Sequence, residues 1–457
     1  MKLYNTMSRI KEEFKPIEQD TVKLYTCGLT VYNQPHIGNW VPYIYWDVLQ
    51  RTLQTEGYDV ERIQNITDVG HLVSDDDDGE DKMEKGAIRE GLTAWEVAQK
   101  YIDIADREAY DELKLIQPKL VRATDRIQQQ IDFVSELESK GYTYEIKGEG
   151  IYFNTSKLED YGKLAKLDIK GLDAGARVAV AGKKNITDFA LWKFSPKDQK
   201  RDMEWGSPWG TGFPGWHLEC SVIAREGLGD RIDIHTGGID HIPVHHTNEI
   251  AQTESITGQP FANFWIHNNH IKIDGGKMSK SEGNVYTLQD IKDKGYSLQA
   301  FKLMVLAKQY RTEGNFTWEI LDAAQNRLNN WTRKADLVWQ IEESSDTEVI
   351  DKIKGALGDD LNTPRAIKLI EKHLDAADAD NKAPNGEVLT AVKTLTGINL
   401  VAKDLPTVLK QKLDQRADAR KDQNWELSDE IRDELANENI GINDSGDKQL
   451  WFRIKAT

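Results

Sequence analysis

The first strong hydrophobic pattern along the chain predicts a strand, a loop and a helix in succession. A short apolar run, Val22 to Tyr25, is typical of a buried strand. Apolar residues then recur at helical spacing from Val41 until Gly57 ends the pattern. Because this order opens many nucleotide-binding α/β sheets, we expect an α/β sheet domain at this end of the chain, although the spacing departs from the Gly-rich fingerprint of dinucleotide-binding enzymes.

Helical and strand-like patterns alternate through the next part of the chain. Residues 90–141 carry an apolar stripe at helical spacing, and from Tyr142 the pattern changes to short strands separated by glycines. We expect the segment up to about residue 188 to be an insertion within the sheet domain. Strand signals return at residues 232–234, 264–266 and 271–273.

Beyond about residue 290 the patterns are predominantly helical. Asn362 suits a helix N-cap, and Pro364 suits the first turn that follows it. A charged helix is predicted near residues 410–422, Trp425 follows it, and residues 441–452 are typical of a small hairpin.

Composition and charge narrow the class of protein. The 457 residues predict about three domains. The net charge of -17 argues against indiscriminate binding to polyphosphates, although a local basic groove stays possible. With no apolar signal segment near Met1 and no apolar run of about 18 residues, we expect a soluble, cytoplasmic protein. The acidic run Asp75–Asp81 predicts a solvated loop, with a cation site as the alternative.

Two short motifs point to chemistry with ATP. Residues 35–39 fall at the start of the predicted helix, where backbone N–H groups and the helix dipole favour a triphosphate. Lys277 and Lys280 lie on a loop next to glycines and could neutralise charge where pyrophosphate departs. Each motif alone is more often structural. Together they favour a carboxylate activated by ATP.

The two cysteines of the chain define a second candidate site. In a cytosolic protein Cys27 and Cys220 are expected to be free, metal-bound or catalytic rather than paired in a disulfide. His245 and Glu249 are four residues apart on a predicted helix and therefore share one face. Thiolates, imidazole and carboxylate are acceptable zinc ligands. Spacing alone leaves open an ordinary His–Glu pair on a helix surface.

These motifs together resemble the cysteinyl-tRNA synthetases, which are class I aminoacyl-tRNA synthetases. The similar stretches are Tyr25–Tyr32, the tetrad His36–Asn39, Asn65–Asp68, Asp188–Lys193, Gly215–Cys220, His245–Glu249, Lys277–Ser281 and the region from Arg420 to Trp451. The resemblance implies an α/β fold whose catalytic domain is a Rossmann-like parallel sheet (1–111 and 189–290) with a connective insertion (112–188). It also implies a stem-contact region (291–335), a helical bundle (336–405) and a small mixed α/β anticodon-binding domain (406–457).

The resemblance also implies roles for individual residues. One zinc ion per chain would be held by Cys27, Cys220, His245 and Glu249, and it would select the cysteine thiolate over the serine hydroxyl. Gly28, Thr67 and Trp216 would join Cys27 in binding the substrate. ATP, with Mg²⁺, would be bound by His36, Gly38, Asn39, Lys277, Ser279 and Lys280, among which the expected catalytic residues are His36, Asn39, Lys277 and Lys280. Arg420, Trp425, Asp429 and Asp444 would read the anticodon.

The partners implied are ATP, L-cysteine and tRNA(Cys), with no membrane, and the chain is expected to act as a monomer. Two departures from the family pattern stand out: Asn39 replaces the usual histidine but can still donate a hydrogen bond, and Thr247 replaces a more usual glutamate. Two other readings stay open. A ligase that joins cysteine to an amino sugar would not need the helical C-terminal region, and a non-catalytic nucleotide- or RNA-binding regulator would not need both lysines, His36 and four zinc ligands.

Overall fold

A computed structural model describes residues 1–70, 82–167, 182–196, 201–276, 283–445 and 448–455. It divides into two compact units. The sheet unit contains Lys2–Trp46 and Glu56–His270, and the helical unit contains Met1, Asp47–Thr55 and Ile271–Thr457. Over the ranges described, no helix combines the length and apolarity that crossing a bilayer requires.

A parallel sheet forms the core of the sheet unit. The strands of this unit are β1 (Lys2–Asn5), β2 (Ile10–Glu13), β3 (Thr21–Thr26), β4 (Asp59–Ile66), β5 (Lys119–Arg122), β6 (Thr143–Ile146), β7 (Gly150–Phe153), β8 (Phe189–Phe194), β9 (Trp205–Ser207), β10 (Gly210–Pro214), β11 (Ile232–Gly238) and β12 (Ala262–Asn268). The five-stranded sheet has the order β12-β11-β3-β4-β5, and all its neighbours are parallel. The order reverses between β3 and β11, where such sheets bind ligands at the carboxyl ends of their strands.

Helices follow the strands of this sheet. They are α1 (Ile37–Thr55), α2 (Lys82–Glu90), α3 (Ala94–Asp106), α4 (Ile127–Ser139), α5 (Trp216–Leu228) and α6 (His245–Thr257). The predicted strand, loop and helix near the N-terminus are confirmed as β3 and α1, and the predicted strands at 232–234 and 264–266 lie within β11 and β12. α1 is divided between the two units after Trp46.

The prediction of a continuous helical stretch over residues 90–141 is wrong in its middle. A π-helical segment, Arg107–Glu112, follows α3, and β5 then joins the sheet before α4 begins. Residues 119–122 become a strand because they pair in parallel with Ile63–Ile66 of β4. Pairing with a distant strand overrides a local helical pattern, which is only a weak guide.

A second sheet in the sheet unit is antiparallel. Its five strands have the order β6-β7-β8-β10-β9 and run from Thr143 to Pro214. The strands expected after Tyr142 are therefore confirmed in β6 and β7. The finer division of the chain into six segments stays a prediction.

The helical unit agrees with the pattern expected beyond residue 290. Its strands are β13 (Ile271–Ile273), β14 (Gly314–Phe316), β15 (Ile440–Ser445) and β16 (Lys448–Arg453), and its helices are α7 (Leu288–Asp293), α8 (Leu298–Leu306), α9 (Trp318–Ala335), α10 (Val349–Leu357), α11 (Thr363–Ala379), α12 (Gly386–Thr396), α13 (Thr407–Lys421) and α14 (Trp425–Asn437). The Asn362 cap is confirmed, since its Oδ1 accepts the Arg365 N–H at 3.2 Å. β15 and β16 form the predicted hairpin.

Lys302 on α8 is a buried lysine within the helical unit. Its Nζ donates to the Gly397 carbonyl at 3.0 Å. Burial lowers the pKa of Lys302 to about 8, and the nearby Asp47 carboxylate opposes that shift. Asp47 also accepts a bond from Arg51, with 2.8 Å between Oδ2 and Nε.

Lys302 should make the stability of this unit depend on alkaline pH. Because its folded pKa lies below the unfolded value of about 10.4, the unfolded chain binds the extra proton between those two pH values. The free energy of unfolding should therefore rise with pH from about 8, by at most about 1.4 kcal/mol per pH unit. Lys302→Met should remove this rise while Asp47 stays paired with Arg51.

Urea unfolding of both proteins between pH 8 and pH 10 measures this difference. Other titrating groups contribute equally to the two proteins, so the comparison isolates Lys302. If the free energy of unfolding changes with pH in the same way in the wild type and in Lys302→Met, Lys302 does not have the lowered pKa assigned to it.

Candidate active site

A cavity of about 340 Å³ lies at the carboxyl ends of β3, β4 and β11. Cys27, the residue after β3, and Thr67, the residue after β4, line this cavity. His36 and Asn39 at the start of α1 and Trp216 at the start of α5 also line it. Because the carboxyl ends of parallel strands meet at one edge, residues far apart in sequence converge there.

The four expected zinc ligands come together at this cavity. One ligand atom from each of Cys27, Cys220, His245 and Glu249 lies within 4.8 Å of the others. Cys220 stands on α5, whereas His245 and Glu249 begin α6. His245 and Glu249 are buried, with 2% and 0% of their surfaces exposed, so they are not an ordinary surface pair. The distance from His245 Nε2 to Glu249 Oε1 is 3.0 Å.

A second, overlapping set of candidate ligands was not expected from the sequence. His235 and His246, with Cys27 and Glu249, also bring their ligand atoms within 4.8 Å of one another. His235 Nε2 is 2.8 Å from Glu249 Oε2, and His246 Nε2 is 3.3 Å from Cys27 Sγ. Both imidazoles are fully buried, whereas Cys220 and His245 line the cavity. The set with Cys220 and His245 therefore brings three ligands, Cys27 among them, to the cavity wall, whereas the set with His235 and His246 brings Cys27 alone.

Further side chains orient the imidazoles of the cluster. His245 Nδ1 lies 3.0 Å from His217 Nδ1, and His246 Nδ1 lies 2.8 Å from His267 Nε2. His267 Nδ1 in turn lies 2.8 Å from Thr6 Oγ1. Imidazoles that bind a metal through one nitrogen usually hydrogen-bond through the other, which fixes the ring. The arrangement suits metal ligation.

The electrostatics of the cluster favour a bound cation. Burial by itself raises the pKa of the Cys27 thiol, but a hydrogen bond from Cys220 and the adjacent imidazoles hold it well below its usual range. Burial likewise disfavours ionisation of Glu249, yet His235 and His245 lower the pKa of that carboxyl. Burial lowers the pKa of His246 well below its usual range. Burial and the neighbouring Cys27 raise the pKa of the Cys220 thiol well above its usual range. Burial by itself lowers the pKa of His245, but Glu249 and Cys27 raise it to about 10. Two sulfurs, an imidazole and a carboxylate are donor types that zinc binds when it displaces their protons, so the residues fit this metal.

The tetrad His36–Asn39 forms the first turn of α1, as predicted. Asn39 Oδ1 accepts the backbone N–H of His36 at 2.9 Å, and the Asn39 backbone N–H donates to the His36 carbonyl at 2.9 Å. With its oxygen occupied in this way, the Asn39 side chain offers its amide N–H groups to an anion. His36 and Asn39 line the cavity, and Gly38 is half-buried between them.

Residues expected to bind the substrate share a polar network with a residue that the sequence analysis did not single out. Glu219 Oε1 accepts hydrogen bonds from Thr67 Oγ1 and from Asn65 Nδ2, the latter at 3.0 Å. Asn65 Oδ1 accepts the backbone N–H of Gly28 at 2.8 Å. Burial raises the pKa of Glu219 to about 8, against the opposing bond from Thr67. The sequence offered one indication of this role: Glu219 is an acidic residue that directly precedes the candidate ligand Cys220.

Trp216 packs over the imidazoles of the cluster. Its ring centroid lies 4.5 Å from that of His245 and 5.1 Å from that of His217. The residue is half-buried and lines the cavity. This position suits a side chain that covers a bound amino acid.

Comparison with known proteins identifies the family. Residues 13–326 match the family described as "tRNA synthetases class I (C) catalytic domain". Cysteine–tRNA ligase 1 of Burkholderia lata is 48% identical over 370 residues, which cover 80% of this chain and 78% of that protein. Cysteine–tRNA ligase of Treponema denticola is 38% identical over 444 residues, 90% of this chain and 88% of that protein. The chain belongs to the cysteine–tRNA ligase family.

Membership of this family makes the protein a class I aminoacyl-tRNA synthetase, and the fold agrees. A solved structure of Mycobacterium tuberculosis methionyl-tRNA synthetase in complex with methionyl-adenylate matches with a TM-score of 0.59 over 83% of this chain and 88% of that chain. At 14% identity this likeness shows the shared α/β fold alone. The expected resemblance to cysteinyl-tRNA synthetases is confirmed by the family match and the relatives.

The C-terminal residues expected to read the anticodon lie close together at the hairpin. Arg420 Nη1 is 3.2 Å from Asp444 Oδ2, and the Arg420 guanidinium lies 5.7 Å from the centroid of the Trp425 ring. Trp425 is 54% exposed. Asp429 is exposed and joins this group through Arg432, 3.8 Å away.

Asp444 is more heavily paired than the expected role suggested. The buried Arg416 binds both of its oxygens at 2.9 Å, and Arg432 Nη2 lies 3.1 Å from Oδ2. These arginines lower the pKa of the Asp444 carboxyl, with the hydrogen bonds from Arg416 contributing most. The carboxylate is thus suited to holding arginines in place as well as to accepting a bond from a base.

Two segments that the sequence analysis singled out fall outside the described residues. Lys277, Ser279 and Lys280 of the lysine loop and the acidic run Asp75–Asp81 are not among the positions that the structure describes. Their roles stay predictions.

Gly28 should be intolerant of any side chain. A Cβ there would lie 1.7 Å from the carbonyl oxygen of Asn65, which is backbone and cannot turn aside. We expect Gly28→Ala to lower the free energy of unfolding by about 2 kcal/mol or more, because the overlap forces β3 and β4 apart at the cavity. Gly206→Ala is the matched control, since nothing lies within 4 Å of its added Cβ.

Urea unfolding of the two variants measures the difference. An equal effect of both substitutions would show that the close approach at Gly28 is not a constraint.

Proposed function

We propose that this protein is a cysteine–tRNA ligase that activates L-cysteine with ATP and transfers it to the 3′ end of tRNA(Cys). The observation that carries this proposal is the convergence of Cys27, Cys220, His245 and Glu249 beside the tetrad His36–Asn39 in one cavity. A sulfur-rich pocket beside an anion-binding helix start suits a substrate that carries both a thiol and a carboxylate. The chain's membership of the family supports the same conclusion.

Selection of cysteine over serine would depend on the metal cluster. Cys27, Cys220, His245 and Glu249 would hold one zinc ion, which supplies a Lewis acid that prefers a thiolate to a hydroxyl. A hydrophobic pocket discriminates poorly between side chains of nearly equal shape. Trp216 would cover the side chain, and Thr67 and Gly28, held through Glu219 and Asn65, would shape the rest of the pocket.

Activation would join the cysteine carboxylate to the α-phosphate of ATP. A carboxylate oxygen attacks the α-phosphorus, the bond to the bridging oxygen breaks, and pyrophosphate leaves to give cysteinyl-adenylate. His36, Gly38 and Asn39 at the start of α1 would bind phosphate oxygens, where the N–H groups and the helix dipole favour negative charge. Lys277, Ser279, Lys280 and Mg²⁺ would offset the charge that develops on the leaving group.

Transfer would consume the adenylate. A ribose hydroxyl at the 3′ end of the tRNA attacks the cysteinyl carbonyl, AMP leaves with the bonding electrons, and the hydroxyl proton is released. Arg420 and the exposed Trp425 offer planes on which unstacked anticodon bases can stack, and Asp429 and Asp444 offer acceptors. We further propose that the protein is cytoplasmic and acts as a monomer.

The first test is cysteine-dependent exchange of pyrophosphate into ATP. Purified wild-type protein containing zinc should support exchange with cysteine and not with serine, and chelation of zinc should abolish it. Zinc-loaded protein that gave no exchange with cysteine would overturn the proposed function.

Substitution of a zinc ligand should remove the metal and the activity together. We expect Cys220→Ser to lose bound zinc and to lower exchange by more than the roughly 10- to 100-fold typical of losing an outer-shell partner of a metal. Zinc per chain, measured by elemental analysis, and the exchange rate are the two readouts.

The overlapping set provides the contrasting variant. If the metal were held by Cys27, His235, His246 and Glu249 instead, Cys220→Ser would keep its zinc and His246→Asn would lose it. Ser221→Ala is the control for a change in packing beside the cluster, because it removes a buried hydroxyl on α5 that donates to Gln252 Oε1 at 2.7 Å.

Trp425 should matter for tRNA and not for activation. Because stacking of a base on an aromatic ring contributes about 1–3 kcal/mol, Trp425→Ala should lower kcat/KM for tRNA by roughly five- to 150-fold. The rate of pyrophosphate exchange should not change. Val408→Ala, another exposed apolar residue of the same C-terminal segment, is the matched control. Equal aminoacylation by the wild type and Trp425→Ala would remove Trp425 from the proposed interface.

A further inference from the structure

The π-helical segment Arg107–Glu112 carries a buried carboxylate that the proposed mechanism does not use. The Leu113 N–H reaches back five residues to the Glu108 carbonyl at 2.9 Å. This wider turn lets both Glu108 and Ala109 point inward, each 2% exposed. π-helical turns are rare and occur frequently at functional sites.

Both oxygens of Glu108 bind side chains that flank the phosphate-binding tetrad. Gln34 Nε2 donates to Oε1 at 2.9 Å, and Trp40 Nε1 donates to Oε2 at 3.0 Å. Gln34 stands two residues before His36, and Trp40 directly follows Asn39. One carboxylate therefore holds the chain on both sides of the tetrad.

The orientation of Trp40 strengthens this connection. Its side chain is fully buried, and its ring meets that of Tyr43 edge to face, with 5.2 Å between centroids. Gln34, His36 and Asn39 line the cavity, whereas Glu108 and Trp40 are not among its lining residues. Glu108 is thus placed to act on the tetrad through its neighbours rather than on a ligand.

We propose that Glu108 is a positioning residue for ATP: its carboxylate holds Gln34 and Trp40 so that His36 and Asn39 keep the spacing that binding a triphosphate requires. Hydrogen bonds at both oxygens fix the orientation of the Glu108 side chain, which suits an anchor. A displacement of about 1 Å in a binding group can lower a rate about 100-fold. The inference rests on the proposed function in taking ATP as the ligand of the tetrad.

Two variants test the anchor. Glu108→Gln keeps the shape but sets an amide NH2 group against one of the two donors, and Trp40→Phe removes one donor. Since leaving a buried donor or acceptor unsatisfied changes an equilibrium by roughly tenfold, each variant should raise the Kd of a non-hydrolysable ATP analogue about tenfold. The KM for ATP in exchange should rise with it, while the KM for cysteine changes by less than about twofold. The effects of the two substitutions in the double variant should be less than additive, because Glu108 and Trp40 are in direct contact and act on the tetrad through the same anchor.

Gln130→Met is the matched control. Gln130 is fully buried in the same unit, and its amide donates to the Ala123 and Arg126 carbonyls rather than to the tetrad. It should leave the Kd of the ATP analogue unchanged. Thermal unfolding of every variant identifies any that fails to fold. If Glu108→Gln does not fold, the Kd of the ATP analogue for Trp40→Phe tests the anchor instead.

The outcomes separate the two proposals. The Kd of the ATP analogue is measured by calorimetry. If this Kd is the same in the wild type, Glu108→Gln and Trp40→Phe, the anchor is overturned, even if the wild type performs pyrophosphate exchange. Equal losses of affinity for ATP and cysteine would also overturn it, because they indicate a general structural role. The wild type could show no pyrophosphate exchange while Glu108→Gln still weakens binding of the analogue. That result would overturn the proposed function and support the anchor.

Discussion

The rest of the sheet unit depends on the burial of an ionisable cluster at one edge of the parallel sheet. Cys220 and Glu249 are almost fully removed from water, and beside them a hydrogen bond from Cys220 and the adjacent imidazoles hold the pKa of the Cys27 thiol well below its usual range, against the effect of burial. Burying such groups is costly unless each finds an opposite charge, a hydrogen bond or a metal. The groups that pair with one another in the cluster come from different elements. The ends of β3 and β11 and the starts of α5 and α6 therefore have to lie close together. The reversal of strand order between β3 and β11 provides that place.

A layer of polar side chains around the cluster makes this arrangement rigid. His217 and His267 bond to the imidazoles of the cluster, and Thr6 continues the chain of bonds toward β1. On the cavity side Asn65 and Glu219 tie the end of β4 to α5. Hydrogen bonds are electrostatically stronger in a low-dielectric interior than in water, so these buried bonds favour one arrangement of the side chains. The cavity is therefore shaped as much by these residues as by those that would touch a substrate.

Local features of the fold were predictable because their causes are local. The start of α1, the cap at Asn362 and the C-terminal hairpin depend on a few adjacent residues, and the structure contains all three. β5 was not predictable in this way, because Lys119–Arg122 becomes a strand only by pairing with β4. The π-helical segment is similar, since nothing in the spacing of residues 107–112 indicates that Glu108 would be buried between Gln34 and Trp40.

The sequence by itself determined the chemical inventory of the site: two cysteines, a His–Glu pair at helical spacing, and an anion-binding tetrad at a helix start. Those residue types favoured chemistry with ATP and made zinc a candidate, and the resemblance to a known family then implied the zinc ligands. Only the tertiary structure decided which imidazoles lie near the thiols. Cys27 and Glu249 belong to two possible metal-binding sets, which are completed either by Cys220 and His245 or by His235 and His246. It also decided that Glu219 and Glu108 are buried acceptors rather than surface charges. The physical reason is that burial and distance between remote residues arise from packing of strands and helices, and no local pattern in the chain records them.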